Sequence, residues 1–416
     1  MASLFYGWRV VAVCLVAAVF AWGFGSFGMS VYLAALTREH GLSVAFVSSA
    51  VTVYYLTNAL AAPAIGSAID RYGARPVFVF GAVMLGGGVA AMGGIDAPWQ
   101  LYFPFVLIGL GYGSLAVTGI TAAIAPWFER HQGRSVAIAL TGASLGAVLV
   151  IPLLVAAIRH LGFATALSAG GCLTIAVMVP LALVVLRRRS PLELGLGPDG
   201  DPIPAVADNA AGTTSSKLGW TRREAMRTAS LWTVAAGFSF GLIVQVGFLT
   251  HHVKLAEPFI GITGAAWLVS ATGLSAFFGR LLLARVADTV ELRRYTGAIL
   301  GVQALVLALI ALMPGPATLI GASLVYGFCQ GQITTLSPII VRREFGAASY
   351  GAIYGVAATL IQFSSAFGPS LFGSLRDLFG GYGGVLAVAA AFELAAMATI
   401  LFGRPPVAAA ALAGRR

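Results

Sequence analysis

Along this chain apolar runs alternate with short polar breaks, and each run is long enough to cross a bilayer. A spanning helix needs about 20 residues at 1.5 Å each. The runs fall near 8–36, 44–69, 76–95, 99–127, 135–158, 163–186, 229–253, 264–287, 294–313, 317–341, 350–374 and 382–403. They predict an all-α membrane protein of twelve helices. One polar stretch, 187–228, is much longer than the other breaks. It carries Pro191, Gly195, Gly197, Pro198, Asp199, Gly200, Pro202 and Pro204. It divides the runs into two six-helix bundles, 1–186 and 229–416, and reads as a tether. Its last part, Thr221 to Ser230, reads as a short interfacial helix leading into span seven. The first run is too long for the apolar region of a cleavable signal.

Composition agrees with this pattern. Of 416 residues, 59% are hydrophobic and only 10% charged. A soluble domain is roughly 25% charged, and apolar surface on this scale is at home in lipid. A net charge of +10 in a soluble protein would suggest nucleic acid. Here it fits Arg-rich inner loops instead, and no nucleic-acid partner is expected. With the N-terminus inside, 20 of the 25 Lys and Arg fall in inner segments and 4 in outer ones (Arg38, Arg159, Lys254, Arg376). This bias predicts a multi-pass protein of the cytoplasmic (inner) membrane with both termini cytoplasmic. Cys14, Cys172 and Cys329 lie inside apolar runs without metal-ligand spacing, so they read as packing residues. No metal, nucleotide or nucleophile motif is present, and neither a cofactor nor an enzymatic activity is expected.

The two halves repeat. Asp70 and Asp288 lie 218 apart, as do Gly109 and Gly327, Gly113 and Gly331, Phe20 and Phe238, and Gly23 and Gly241. Such an offset implies duplication of a six-helix unit. Gly109 and Gly113, like Gly327 and Gly331, have the spacing of close helix contacts. A weaker echo pairs Gly66-x-x-x-Asp70, at the inner end of span two, with Gly373-x-x-x-Asp377, at the outer end of span eleven, as inverted repeats would.

The stretch Gly66-Ser67-Ala68-Ile69-Asp70-Arg71-Tyr72-Gly73-Ala74-Arg75-Pro76 resembles the loop after helix two in the major facilitator superfamily. Gly66 would allow close helix approach, Asp70 would pair with cations and helix N-termini, Gly73 would supply the turn, and Arg71 and Arg75 add inner charge. The resemblance implies a cytoplasmic gate of alternating access, with Asp288 as the counterpart of Asp70. Four further segments narrow the resemblance: Tyr6-Gly7-Trp8-Arg9, the linker opening from Arg189 to Gly200, His251-His252-Val253-Lys254-Leu255-Ala256, and Gly279-Arg280. Together they resemble the bacterial monocarboxylate transporters and oxalate/formate exchangers.

Arg280 is the cation left over, about seven residues inside span eight. An intramembrane Arg is expensive and faces a cavity, and its planar fork suits a carboxylate. The resembled family places a substrate-binding Arg here. Its repeat equivalent is Ala62, so the halves differ at this level, as an asymmetric anion requires. The resembled oxalate exchangers carry a second cation in helix eleven, whereas this chain has Thr359, Leu360, Ile361 and Gln362 there. One cation favours a monocarboxylate. Tyr32, Tyr54, Asn58, Tyr112, Thr118, Gln245, Tyr326, Gln330, Tyr354 and Gln362 are candidates to line the rest of the site. His251 and His252 near the outer end of span seven read as exposed interface histidines, with His251 a further candidate. Glu393, the acidic residue well inside span twelve, reads as a scaffold hydrogen bond.

The expected function is secondary transport of a small monocarboxylate such as lactate or pyruvate, by proton symport, in a monomer embedded in lipid. An organic anion exchanger is the first alternative and a drug/proton antiporter the second. The Gly-Pro pair usual in helix five of such antiporters is missing, Gly146 and Pro152 lying six apart.

Overall fold

The computed structural model describes residues 5–202, 220–287, 289–346 and 350–403. Ten helices among them are long and apolar enough to cross a membrane. They are α1 Tyr6–Glu39, α2 Val44–Tyr72, α3 Ala74–Gly94, α4 Pro98–Ile124, α5 Gln132–Leu161, α6 Phe163–Val185, then Ala229–Val286, α9 Leu292–Leu312, α10 Pro316–Phe345 and α12 Tyr382–Phe402. The 58-residue helix Ala229–Val286 is two spans, α7 (229–260) and α8 (262–286), joined at Gly261 with φ 70°. That left-handed conformation suits glycine alone among common residues. Span α11 (350–379) is broken into Tyr350–Ser365 and Gly368–Phe379. Splitting the first and counting the second gives the twelve spans.

Local signals set the ends. Ser43 caps α2, its Oγ accepting from the Phe46 N–H at 3.1 Å. Gly73, at φ 86°, ends the same helix and donates its N–H to the Ile69 carbonyl at 2.8 Å. Thr221 and Glu224 form a capping box at the single helical turn Arg222–Ala225. The interfacial helix expected over Thr221 to Ser230 is therefore shorter, and α7 begins at Ala229 behind a Thr228 cap. Span seven also runs past its expected end at 253. The polar residues that suggested a boundary are accommodated inside the fold, with Lys254 beside Glu257 at 4.0 Å.

Two compact units form. One holds Met1–Ala207 with Thr250–Ser270, the other Asp208–Leu249 with Ala271–Arg416. In the first, the α7–α8 segment is tied to its neighbours by polar bonds. The Ser270 hydroxyl donates to the Ala147 carbonyl at 2.8 Å, and Arg38 lies 3.5 Å from Glu257.

The repeat is visible in the helix contacts. A Cβ on Gly109 would strike the Tyr54 carbonyl, and one on Gly327 the Thr272 carbonyl. A Cβ on Gly113 would strike Asn58 and one on Gly331 the Ala276 carbonyl. Both α2–α4 contacts therefore recur in α8–α10 with the offset of 218. The match of Gly23 to Gly241 does not hold. Where α1 crosses α5, a Cβ built on Gly146 would stand 2.9 Å from the Gly23 nitrogen, and where α7 crosses α11, one built on Gly368 would stand 2.8 Å from the Gly247 nitrogen. Gly23 thus corresponds to Gly247. The connection from α1 to α2 is longer than the bend at Gly261, which shifts the register of the first helix pair.

The opening of the linker is docked rather than loose. Asp199, at φ 61°, accepts hydrogen bonds from the N–H groups of Glu129 (3.1 Å), Arg130 (2.8 Å) and His131 (3.3 Å), and its carboxylate meets His131 Nδ1 at 2.9 Å. These donors precede α5, so the carboxylate answers the unpaired N–H groups and positive end of that helix. Burial raises the carboxyl's pKa, but the Arg130 N–H and the other donors outweigh it, leaving the group at about 2 against the ordinary 3.8. The docking is therefore complete above about pH 4 and is lost as pH falls through the folded value near 2. Asp199→Ala is expected to lose about 2 kcal/mol of docking. Limited trypsin digestion at Arg187–Arg189 should then run faster than in the wild type, and an unchanged digestion rate would refute the strap.

Candidate functional site

In the first unit, α1 opens into a π-helix over Ala21–Phe27 and α5 does so over Gly146–Val150. Wide turns of this kind re-aim side chains and often mark functional sites. Here they leave Gly25 beneath the Tyr112 ring, 2.7 Å from where a Cβ would stand. Tyr112 in turn meets Trp22 and Tyr54 edge-on, with centroids 5.5 and 5.7 Å apart, and Tyr54 meets Tyr55 at 4.5 Å. The Tyr32 hydroxyl lies against Gly28, and Tyr32 and Tyr54 are fully buried with hydroxyls unbonded among the described residues. Two expected residues, Tyr54 and Tyr112, thus meet in one aromatic cluster, and Tyr32 is buried in the same unit. Trp22, Ser26 and Tyr55 belong to it and were missed, Ser26 lying within reach of the Tyr55 and Tyr112 hydroxyls. Asn58 abuts Gly113, while Thr118 is half-buried beyond the break in α4 at Ala116.

His251 and His252 are not interface residues. They are 1% and 0% exposed, because α7 continues past them into the first unit. His251 Nε2 lies 3.1 Å from Ser48 Oγ. The Ser48 hydroxyl donates its single proton to the Val44 carbonyl at 2.6 Å. His251 is thereby the donor to Ser48, with its proton on Nε2.

In the second unit, Gly279, Gly327 and Gly331 press α8 and α10 together at backbone distance. Arg280 leaves α8 at this level, half-buried, and makes no hydrogen bond or ion pair among the described residues. Gln245 and Gln330 are each 5% exposed with Oε1 unbonded among the described residues, and Tyr326 is buried with its hydroxyl unbonded. Tyr354 lies 3.3 Å from the Ser337 hydroxyl and stacks on Tyr350. Gln362 is exposed on the first part of α11. Helix α11 extends beyond 374, so that Arg376 falls within its last turn, already paired with Asp377 at 3.0 Å.

At the loop after α2, Gly66 has nothing within 4 Å of a built Cβ, so the close approach expected there is absent from this structure. Asp70 is exposed and unpaired among the described residues, which corrects its expected pairing with cations. Arg71 lies over the Tyr72 ring at 5.2 Å, and the Arg189 side chain covers Gly73. Arg75 is exposed, and Asp288 lies outside the described residues. Cys172 is exposed rather than a packing residue, since a position facing lipid is apolar in sequence without being buried. Glu393 is fully buried, yet neither carboxyl oxygen has a hydrogen-bond partner among the described residues, so the scaffold hydrogen bond expected of it is not made.

Twelve apolar spans built as a twofold repeat of six, one of them carrying a guanidinium unpaired among the described residues, are the architecture of a membrane transporter. The family model of the Major Facilitator Superfamily matches residues 13–369, and the chain belongs to that family. It is 26% identical over 407 residues to monocarboxylate transporter 13 of Bos taurus, covering 95% of this chain and 89% of that protein. It is 25% identical over 413 residues to the oxalate:formate antiporter of Oxalobacter formigenes, covering 95% and 91%. Among solved structures, the D-xylose-proton symporter aligns with TM-score 0.76 at 13% identity, over 97% of this chain and 99% of that one. At that identity the likeness speaks for the fold.

Proposed function

We propose that this protein carries a small monocarboxylate, of the lactate or pyruvate type, together with a proton across the cytoplasmic membrane by alternating access. One observation carries the reading: Arg280, inside α8 and half-buried, has its fork unengaged among the described residues. A single carboxylate satisfies that fork with two parallel charge-assisted bonds. The names of the relatives support an organic anion as cargo. The absence of Lys or Arg from Tyr350–Ser365 supports one carboxylate over two. In the second unit Gln245, Tyr326, Gln330, Tyr354 and Gln362 orient the rest of the anion, and in the first Tyr32, Tyr54, Asn58, Tyr112, Thr118 and His251 are its candidate contacts. The halves 1–186 and 229–416 move as bodies joined by 187–228, with both termini cytoplasmic and the monomer as the working unit. Gly66, Asp70, Arg71, Gly73, Arg75 and Asp288 form the inner gate.

A proton accompanies the anion for an electrical reason. Moving one negative charge against an inside-negative potential requires about 2.3 kcal/mol per 100 mV, and a co-transported proton cancels it. Uptake of labelled lactate into proteoliposomes is expected to accelerate when only the exterior is acidified, and oxalate is expected to be carried poorly. Acceleration by internal substrate alone would replace symport by exchange, and a preference for oxalate would overturn the substrate class.

A further inference from the structure

Helix α12 is strongly apolar, yet it carries Glu393 about 16 Å from its start at Tyr382. The side chain is 0% exposed and both carboxyl oxygens lack partners among the described residues. An unpaired carboxylate in such a place is far costlier than the neutral acid. The position is therefore one where a proton binds.

Its surroundings differ from those of a scaffold residue. On α7, Gly241 packs closely beside the carboxyl, a built Cβ there standing 3.5 Å from Glu393 Oε2. On α10, the Tyr326 hydroxyl faces the carboxyl without hydrogen-bond geometry, and Cys329 lies beside it. On α9, Leu300 packs against the same spot, and one turn on, Gln303 is buried with its Nε2 unpartnered among the described residues. Among the described residues Tyr326 and Cys329 are the titratable groups facing Glu393, since Gly241 and Leu300 contribute none. Arg293, bonded to the Ile400 carbonyl seven residues further along α12, is already neutralised by Glu344. A partly satisfied buried network is a poor structural device. It is suited to a group that must exist in two protonation states. Gln330 follows Tyr326 at i+4 on the same face of α10, with its own Oε1 unbonded among the described residues.

We propose that Glu393 is the site that carries the co-transported proton, an assignment that rests on the symport reading. The carboxyl takes up the proton as the neutral acid. On releasing it, the carboxylate accepts a hydrogen bond from the Tyr326 hydroxyl.

Dicyclohexylcarbodiimide, which reacts with protonated buried carboxyls, tests this on the wild-type protein in proteoliposomes. Peptide mass analysis should find the adduct at Glu393, and labelling should abolish the acceleration of lactate uptake by an acid exterior. Glu393→Gln keeps the shape of the neutral acid. This variant should be insensitive to the reagent and should take up lactate at the same rate with or without the gradient. If the wild type itself ignores the gradient, the symport reading fails and this assignment falls with it. If the wild type responds and Glu393→Gln responds equally, the assignment alone is overturned.

Discussion

Arg280→Ala and Arg280→Lys are both expected to abolish uptake of monocarboxylate while the protein still inserts and is purified in wild-type amount. The reasoning starts from the cost of the native residue. A charged group inside a span disfavours insertion, by about 2.5–3.5 kcal/mol at its centre. Arg280, six residues from the end of α8, bears part of that cost with no partner among the described residues. Removing it therefore relieves the apo protein, and stability should not fall. Binding behaves oppositely. Truncating one member of a buried, hydrogen-bonded charge pair weakens a complex by about 2–5 kcal/mol, and each 1.4 kcal/mol is a factor of ten. Lysine keeps the charge but presents a point rather than a fork. Near-normal uptake by the Lys variant would show that charge alone suffices and that fork geometry does not matter.

Arg293→Ala should have the opposite profile, a loss of fold rather than of affinity. Arg293 is 4% exposed and bidentate to Glu344, Nε to Oε1 at 2.6 Å and Nη2 to Oε2 at 2.9 Å. It also donates to Thr233 Oγ1 and the Ile400 carbonyl at 3.2 Å each, and to Ser230 Oγ at 3.0 Å. One guanidinium thus joins α7, α9, α10 and α12. Removing it leaves Glu344 buried and uncompensated, a loss of about 3–5 kcal/mol, whereas replacing both partners by apolar residues of similar volume is often neutral. Thermal unfolding in detergent should show Arg293→Ala far below the wild type and the pair Arg293→Met with Glu344→Leu close to it. A single variant as stable as the double would mean that the ion pair does not hold this end of the unit.

That clamp was invisible in the sequence, and the reason is general. Arg293 and Glu344 are 51 residues apart, and Arg293 counts as one more loop cation until packing brings four helices around it. Asp199 was hidden in the same way, because its partners at Glu129, Arg130 and His131 belong to another polar break. What depends on runs of residues was legible. The spans could be read because hydrocarbon demands continuous apolar helix. The glycine contacts of α2 with α4 and of α8 with α10 could be read because a shared offset fixes a shared geometry. Single glycine matches carried less, as Gly23 shows by pairing in register with Gly247. The histidines of α7 failed for a related reason. Polarity near the end of an apolar run suggests a surface, whereas here the helix continues and buries both rings. The candidate site was legible by residue type. Its aromatic half could be assembled only once the π-turns had placed Gly25 under Tyr112.

The central claim, that Arg280 receives a single carboxylate, is tested most directly by equilibrium binding. Lactate is titrated calorimetrically into the purified protein and into Arg280→Ala, with oxalate as the competing dicarboxylate. Saturable lactate binding by the wild type, its loss in Arg280→Ala and weak binding of oxalate are the predicted results. Lactate binding of undiminished affinity in Arg280→Ala would contradict the account.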